Sequence, residues 1–62
     1  MEKEFKVVIN TGNAAFDDGN EAAEIARILR ALAVKVENGY DGGRIYDING
    51  NAVGVVSITD IG

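Results

Sequence analysis

The chain has 62 residues, neither cysteine nor histidine, and a formal net charge of −4 at pH 7. So short a chain forms one domain at most, and its composition excludes disulfides and the commonest zinc ligands. The negative charge argues against nucleic acid or an anionic membrane as a partner. Hydrophobic residues make up 47% of the chain, as in globular proteins, so we expect one small domain over residues 1–62.

A β-strand is predicted over residues 3–11, because apolar side chains alternate there. Phe5, Val7 and Ile9 share one face, and Val8 lies on the other. Charged residues at the start are typical of an edge strand, where charges deter edge-to-edge pairing, and a patterned interaction strip is the alternative: Glu2, Lys3, Glu4 and Lys6. We expect neither a secretory signal nor a membrane span, since the apolar stretch there is short and no segment has about 20 apolar residues.

A helix is predicted over residues 19–38. Asp18 with Glu21 resembles a capping box, Asn20 is an alternative cap, and Gly39 suits the residue that ends a helix. We expect Leu29 and Leu32 in the core, and Arg27 and Lys35 outside it. Apolar residues fill an arc of about 160° on the helical wheel: Ala22, Ile25, Ala26, Ile28, Leu29, Leu32, Ala33 and Val36.

A β-hairpin is predicted in the second half, with strands over 44–48 and 52–59. Asn49–Gly50 is a strong signal for a two-residue type I′ turn between them. Both faces of this hairpin are apolar. One holds Arg44, Tyr46, Ile48, Val53, Val55 and Ser57, and the other holds Ile45, Asp47, Ala52, Gly54, Val56 and Ile58.

These elements predict an α+β fold, a single β-α-β-β domain with one helix on one face of a three-stranded antiparallel sheet. Strand order 1-3-2 is favoured because the third strand is the longer and more apolar of the hairpin; order 1-2-3 is the alternative. Either hairpin face could meet the helix. We favour the face of Tyr46 and Val55 for the core, because Asp47 lies on the other.

This choice leaves aliphatic side chains on the sheet face away from the helix. The candidate interface residues are Val8, Ile45, Val56 and Ile58. Scattered exposed aliphatic residues are normal on small proteins, but a contiguous patch more often marks an interface. We therefore expect a homo-oligomer, formed most simply sheet to sheet, or a complex with another protein.

No pattern in the sequence predicts a catalytic, cofactor-binding or metal-binding residue. The oxygen-rich residues before the helix lack the spacing of a calcium loop and suit a helix cap: Asn13, Asp17, Asp18, Asn20 and Glu21. General acid-base or nucleophilic chemistry needs a base beside a nucleophile, and no motif supplies that pair. We expect a protein that is not an enzyme and needs no cofactor.

Three segments of the chain resemble short uncharacterised proteins encoded by bacteriophages and prophages. They are residues 13–16 (NAAF), 26–29 (ARIL) and 46–51 (YDINGN), and the likeness extends over nearly all of the chain. These residues are mostly caps, core and turn, so the resemblance transfers no activity. It implies a protein made in the bacterial cytoplasm.

Two functions follow as expectations. The first is a small non-catalytic protein-interaction module that associates with itself through the sheet, in a phage or prophage context. The alternative is an acidic inhibitor that mimics nucleic acid and blocks a host nucleic-acid-binding protein. Mimicry requires carboxylates aligned on one face, and the candidates for it are Asp17, Asp18, Asp41 and Asp47.

Overall fold

The computed structural model describes residues 2–62, which form three strands and one α-helix in the order β-α-β-β. Strand β3 lies in the centre and pairs antiparallel with both neighbours, giving the order β1-β3-β2. The predicted α+β fold and strand order are confirmed. The elements are β1 (Lys3–Ile9), a 3₁₀ turn (Ala14–Phe16), α1 (Glu21–Glu37), β2 (Gly43–Tyr46) and β3 (Ala52–Asp60).

The hairpin loop differs from the predicted type I′ turn. Gly50 N–H donates to the Asp47 carbonyl at 3.0 Å, and Asp47 N–H donates to the Asn51 carbonyl at 2.9 Å. Only Gly50 in this loop has a positive φ, of 84°, so Asn49 does not adopt the conformation that type I′ requires. The result is a three-residue loop with a glycine in the left-handed position. Val53 is then an extra residue in β3, because Tyr46 pairs with Ala52 and Ile45 with Gly54.

The hairpin face chosen for the core is wrong. Val7 of β1 lies opposite Val56 of β3, and directly paired residues share a face of the sheet. The face of Phe5, Val7 and Ile9 is therefore that of Ile45 and Val56. Helix α1 packs on this face, and the core consists of Phe16, Ile28, Leu32, Ile45, Val53 and Val56.

The helix turns a narrower stripe toward the sheet than its apolar arc predicts. Ile28 and Leu32 are buried, as is Glu24 one turn earlier. Leu32 is therefore a core residue as predicted, whereas Leu29 is 45% exposed and is not. Lys35 is exposed, in agreement with the prediction.

The predicted cap is found at the C-terminal end of the helix, but only in part at the N-terminal end. Asn20 holds the N-cap position without a side-chain hydrogen bond, and Asp18 lies in a turn with φ of 57°. At the other end Gly39 has φ of 94°, and its N–H donates to the Val36 carbonyl at 3.0 Å. Tyr40 N–H donates to the Lys35 carbonyl at 3.0 Å, which completes a Schellman motif. The predicted glycine stop is confirmed.

Candidate interaction surfaces

Asp47 is buried at the start of the hairpin loop, where its carboxylate organises the turn. Oδ1 accepts the backbone N–H groups of Asn49 and Asn51, each at 2.9 Å. Oδ2 accepts the side-chain amide of Asn13 at 3.3 Å, which ties the segment after β1 to the hairpin. These hydrogen bonds explain why a carboxylate lies on the helix side of the sheet, since a buried polar group must be paired.

Glu24 is the second buried carboxylate and links the helix to the same loop. Its Oε2 accepts the backbone N–H of Ile48 at 2.9 Å. Arg27, one turn later, donates Nε to Oε1 and Nη2 to Oε2, both at 2.8 Å. Arg27 is thus half-buried, outside the core as predicted, and forms a bidentate ion pair with Glu24.

These contacts keep both carboxylates ionised. The hydrogen bond from Arg27, more than any other contact, lowers the pKa of Glu24. The backbone N–H of Asn51 is the largest cause of the lowered pKa of Asp47, and Asn13 and Asn49 act in the same direction. A general acid at neutral pH needs the opposite shift. The two buried acids are therefore suited to holding the fold and unsuited to proton donation, and Asp47 is inaccessible for mimicry of nucleic acid.

The four predicted interface residues do not form one surface. Ile45 and Val56 are only 6% and 3% exposed, because they face the helix, so their assignment to an interface is wrong. Ile58 lies on the helix side as well, but is 39% exposed. Val8 lies on the opposite, outer face and pairs with Val55, which pairs with Arg44 on its other side; both valines are exposed.

Exposed apolar side chains also lie on the β1 side of the helix. Arg27, Ala31 and Lys35 line a cleft with residues of β2, so that side of the helix faces β2. Leu29 and Val36 lie about 80–100° from Ile28 in the other direction, toward β1. We define the β1 flank as the exposed apolar residues on this side, which are Phe5, Leu29, Val36 and Ile58.

Phe5 and Ile58 form the sheet part of the β1 flank. They are directly opposite one another in the β1–β3 ladder, on the face that carries the core. Phe5 is 46% exposed and Ile58 39% exposed, although their neighbours Val7 and Val56 pack into the core. The cover supplied by the helix thus ends between the Val7–Val56 pair and the Phe5–Ile58 pair. The helix does not cover the β1 flank. This surface was not predicted from the sequence, because its residues were assigned to the core or to the opposite face.

The cleft on the other side of the helix is small. It has a volume of about 110 Å³ and a floor of core residues that includes Leu32 and Ile45. Lys35 Nζ lies 5.6 Å from the centroid of the Tyr40 ring, and the Tyr40 hydroxyl donates to the Arg44 carbonyl at 3.3 Å. The ring and the ammonium group are therefore already engaged with each other at the rim.

Comparisons of this chain with protein-family models, with curated proteins and with solved structures find no match. Within residues 2–62, no helix has both the length and the apolar character required to cross a membrane.

Proposed function

We propose that this chain is a small non-catalytic interaction module that associates with itself, and that it does so through the β1 side of its sheet. The observation that supports this most is the β1 flank, where four large apolar side chains remain accessible beside the core. A patch of this kind on a small domain more often marks an interface than an inert surface. As predicted from the sequence, association is proposed to involve the sheet. The proposed surface is now the β1 side and not the outer face.

The dimensions of the chain favour a partner that covers an area similar to that of the exposed patch. Its radius of gyration is 12.7 Å, against about 10.5 Å for a compact domain of this length. Its accessible surface is 4360 Å², about 500 Å² more than a monomer of 6.6 kDa normally exposes. The smallest specific interfaces bury roughly 600 Å² on each partner, so an interface that buried only this excess would lie at the weak end of the range.

The absence of other stabilising devices in the composition also favours self-association. A domain near 60 residues buries only about 60% of the surface of its unfolded chain and is marginal without disulfides, metals or oligomerisation. This chain has no cysteine. A second copy that covers the β1 flank adds apolar burial that the single helix does not provide.

The proposed context of this module is a phage or prophage gene expressed in the bacterial cytoplasm. The resemblance to phage and prophage proteins supports a module made in the bacterial cytoplasm, and it is the whole support for that part. Sequencing the genes on either side of this one tests it, since a phage context predicts neighbouring structural or regulatory phage genes. The non-catalytic assignment is supported by Glu24 and Asp47, whose oxygens are occupied by hydrogen bonds that hold the fold.

Sedimentation velocity from low to high micromolar concentration tests the self-association. We expect a dimer whose dissociation constant is raised about tenfold or more by Leu29→Gln, which removes half-buried apolar area from both copies. Val34→Gln is the matched control, because Val34 is 57% exposed on the same helix but away from β1. A chain that sediments as a 6.6 kDa monomer throughout this range contradicts the proposal.

A further inference from the structure

Strand β1 has an open edge whose backbone groups are aligned for another strand. At its two ends, Asn10 N–H donates to the Val53 carbonyl at 2.7 Å and Ile61 N–H donates to the Glu2 carbonyl at 3.0 Å. Even-numbered residues therefore direct their backbone groups to β3, because bonded and non-bonded pairs alternate in an antiparallel ladder. The N–H and C=O groups of Lys3, Phe5 and Val7 point to the open edge.

The two edges of the sheet are not equivalent. β1 has seven residues in regular register with β3, whereas β2 has four and ends in a bulge. A long regular edge is a template for pairing, and a short bulged edge is protected against it. Only β1 also adjoins exposed apolar side chains on the helix side. The β1 edge is thus the better place for a strand to add.

We infer that two copies of this chain pair antiparallel along β1, with Phe5 of one copy opposite Phe5 of the other. This inference rests on the proposed self-association and specifies its geometry. The product is a six-stranded sheet in the order β2-β3-β1-β1-β3-β2, with a two-fold axis perpendicular to it. Both helices lie on the same side of this sheet, and the β1 flanks of the two copies meet across the new junction.

The charges on β1 select this register. With Phe5 opposite Phe5, Glu4 of each copy lies opposite Lys6 of the other on the outer face, at a non-hydrogen-bonded pair where side chains are closest. A shift of two residues places Lys6 opposite Lys6, where like charges repel. Within the chain, Glu4 and Lys6 lie opposite Thr59 and Ser57, so neither has a charged cross-strand partner of its own. The charges of Glu4 and Lys6 thus disfavour other registers and favour the one with Phe5 opposite Phe5.

A charge-swap series tests the register. Glu4→Lys and Lys6→Glu, each alone, place like charges opposite one another at two symmetric positions, and we expect each to raise the dimer dissociation constant about tenfold. The double variant restores opposite charges in reversed order, and we expect it to return to within about threefold of the parent. Arg30→Glu is the control for a change of net charge, because Arg30 is exposed on the helix.

Amide hydrogen exchange supplies an independent reading. In a β1–β1 dimer the N–H groups of Lys3, Phe5 and Val7 gain carbonyl partners, so their exchange slows as concentration rises, whereas those of a monomer stay exposed. A monomer at all concentrations overturns both this inference and the proposed function. A dimer that is indifferent to the charge swaps, or that leaves these amides unprotected, overturns the β1 pairing alone and directs attention to the outer face at Val8 and Val55.

Discussion

Glu24 of the helix and Ile48 of the hairpin loop are joined by a hydrogen bond from the Ile48 backbone N–H to Glu24 Oε2, 2.9 Å long. Arg27 holds the same carboxylate from the other side with two N–H groups at 2.8 Å. The loop and the first turns of the helix are therefore positioned by one ionised group. Because the apolar core is small, this link contributes strongly to the orientation of the hairpin relative to the helix.

Replacing Glu24 with alanine is expected to destabilise the domain, because the Ile48 N–H and the Arg27 guanidinium both lose their acceptor. Thermal unfolding followed by circular dichroism measures the effect. Glu37→Ala is the control, since Glu37 is exposed at the end of the same helix and should change stability by no more than about 0.5 kcal/mol. Equal melting temperatures for the two variants would show that the link contributes nothing.

Stability is expected to fall at acid pH because of Glu24 and Asp47. Folding lowers the pKa of both carboxylates, so the native state binds fewer protons than the unfolded state. Their contribution is complete above the unfolded values, about 3.9 to 4.3, and is lost as pH falls through the lower folded values. Urea unfolding at a series of pH values between about 6 and 2 measures this slope. Asp47→Asn should flatten it, and an unchanged slope would contradict the role of Asp47.

The topology could be predicted from sequence because it depends on local signals that agree with one another. The alternation in β1, the apolar stripe of α1 and the glycine stop at Gly39 each specify an element, and short connections then limit their arrangement. The three-residue loop and the bulge at Val53 could not be predicted, because Asn49–Gly50 suits more than one hairpin loop.

The error in the sheet face has a specific cause. Asp47 was placed toward solvent because a carboxylate is costly to bury unpaired. Its partners are two backbone N–H groups and the Asn51 side-chain amide within the loop, and the amide of Asn13, 34 residues earlier in the chain. The long-range partner cannot be identified from local pattern. Ile45 and Val56 share a hairpin face with Asp47. Because Asp47 was assigned to the solvent side, these two residues were assigned to that side as well, and so to the predicted interface.

The burial difference between two leucines of α1 predicts a large difference in stability. Leu32 is 8% exposed and packs in the core, so Leu32→Ala should cost about 2–4 kcal/mol and unfold much of the population. Leu29→Ala should cost less than about 1.5 kcal/mol in the monomer, since nearly half of its surface is already exposed. Urea denaturation at low protein concentration keeps dimerisation out of the comparison. Similar midpoints would mean that the helix faces the sheet at a different angle.

Gly54, near the start of the central strand β3, is expected to tolerate no side chain. A Cβ at this position would overlap the backbone carbonyl of Val8 in β1, and a backbone atom in a central ladder cannot move aside cheaply. Gly54→Ala should therefore cost about 3 kcal/mol or more, which is most of the stability of a domain this size.

Gly12→Ala is the matched control for this substitution. A Cβ at Gly12 meets nothing within 4 Å, and its φ is not in the left-handed region. Alanine there should be neutral or stabilise by up to about 1 kcal/mol, because it restricts the unfolded chain. Far-ultraviolet circular dichroism and urea midpoints of both variants give the comparison. A folded Gly54→Ala variant with the parent's midpoint would mean that β1 and β3 do not approach as closely here as their register implies.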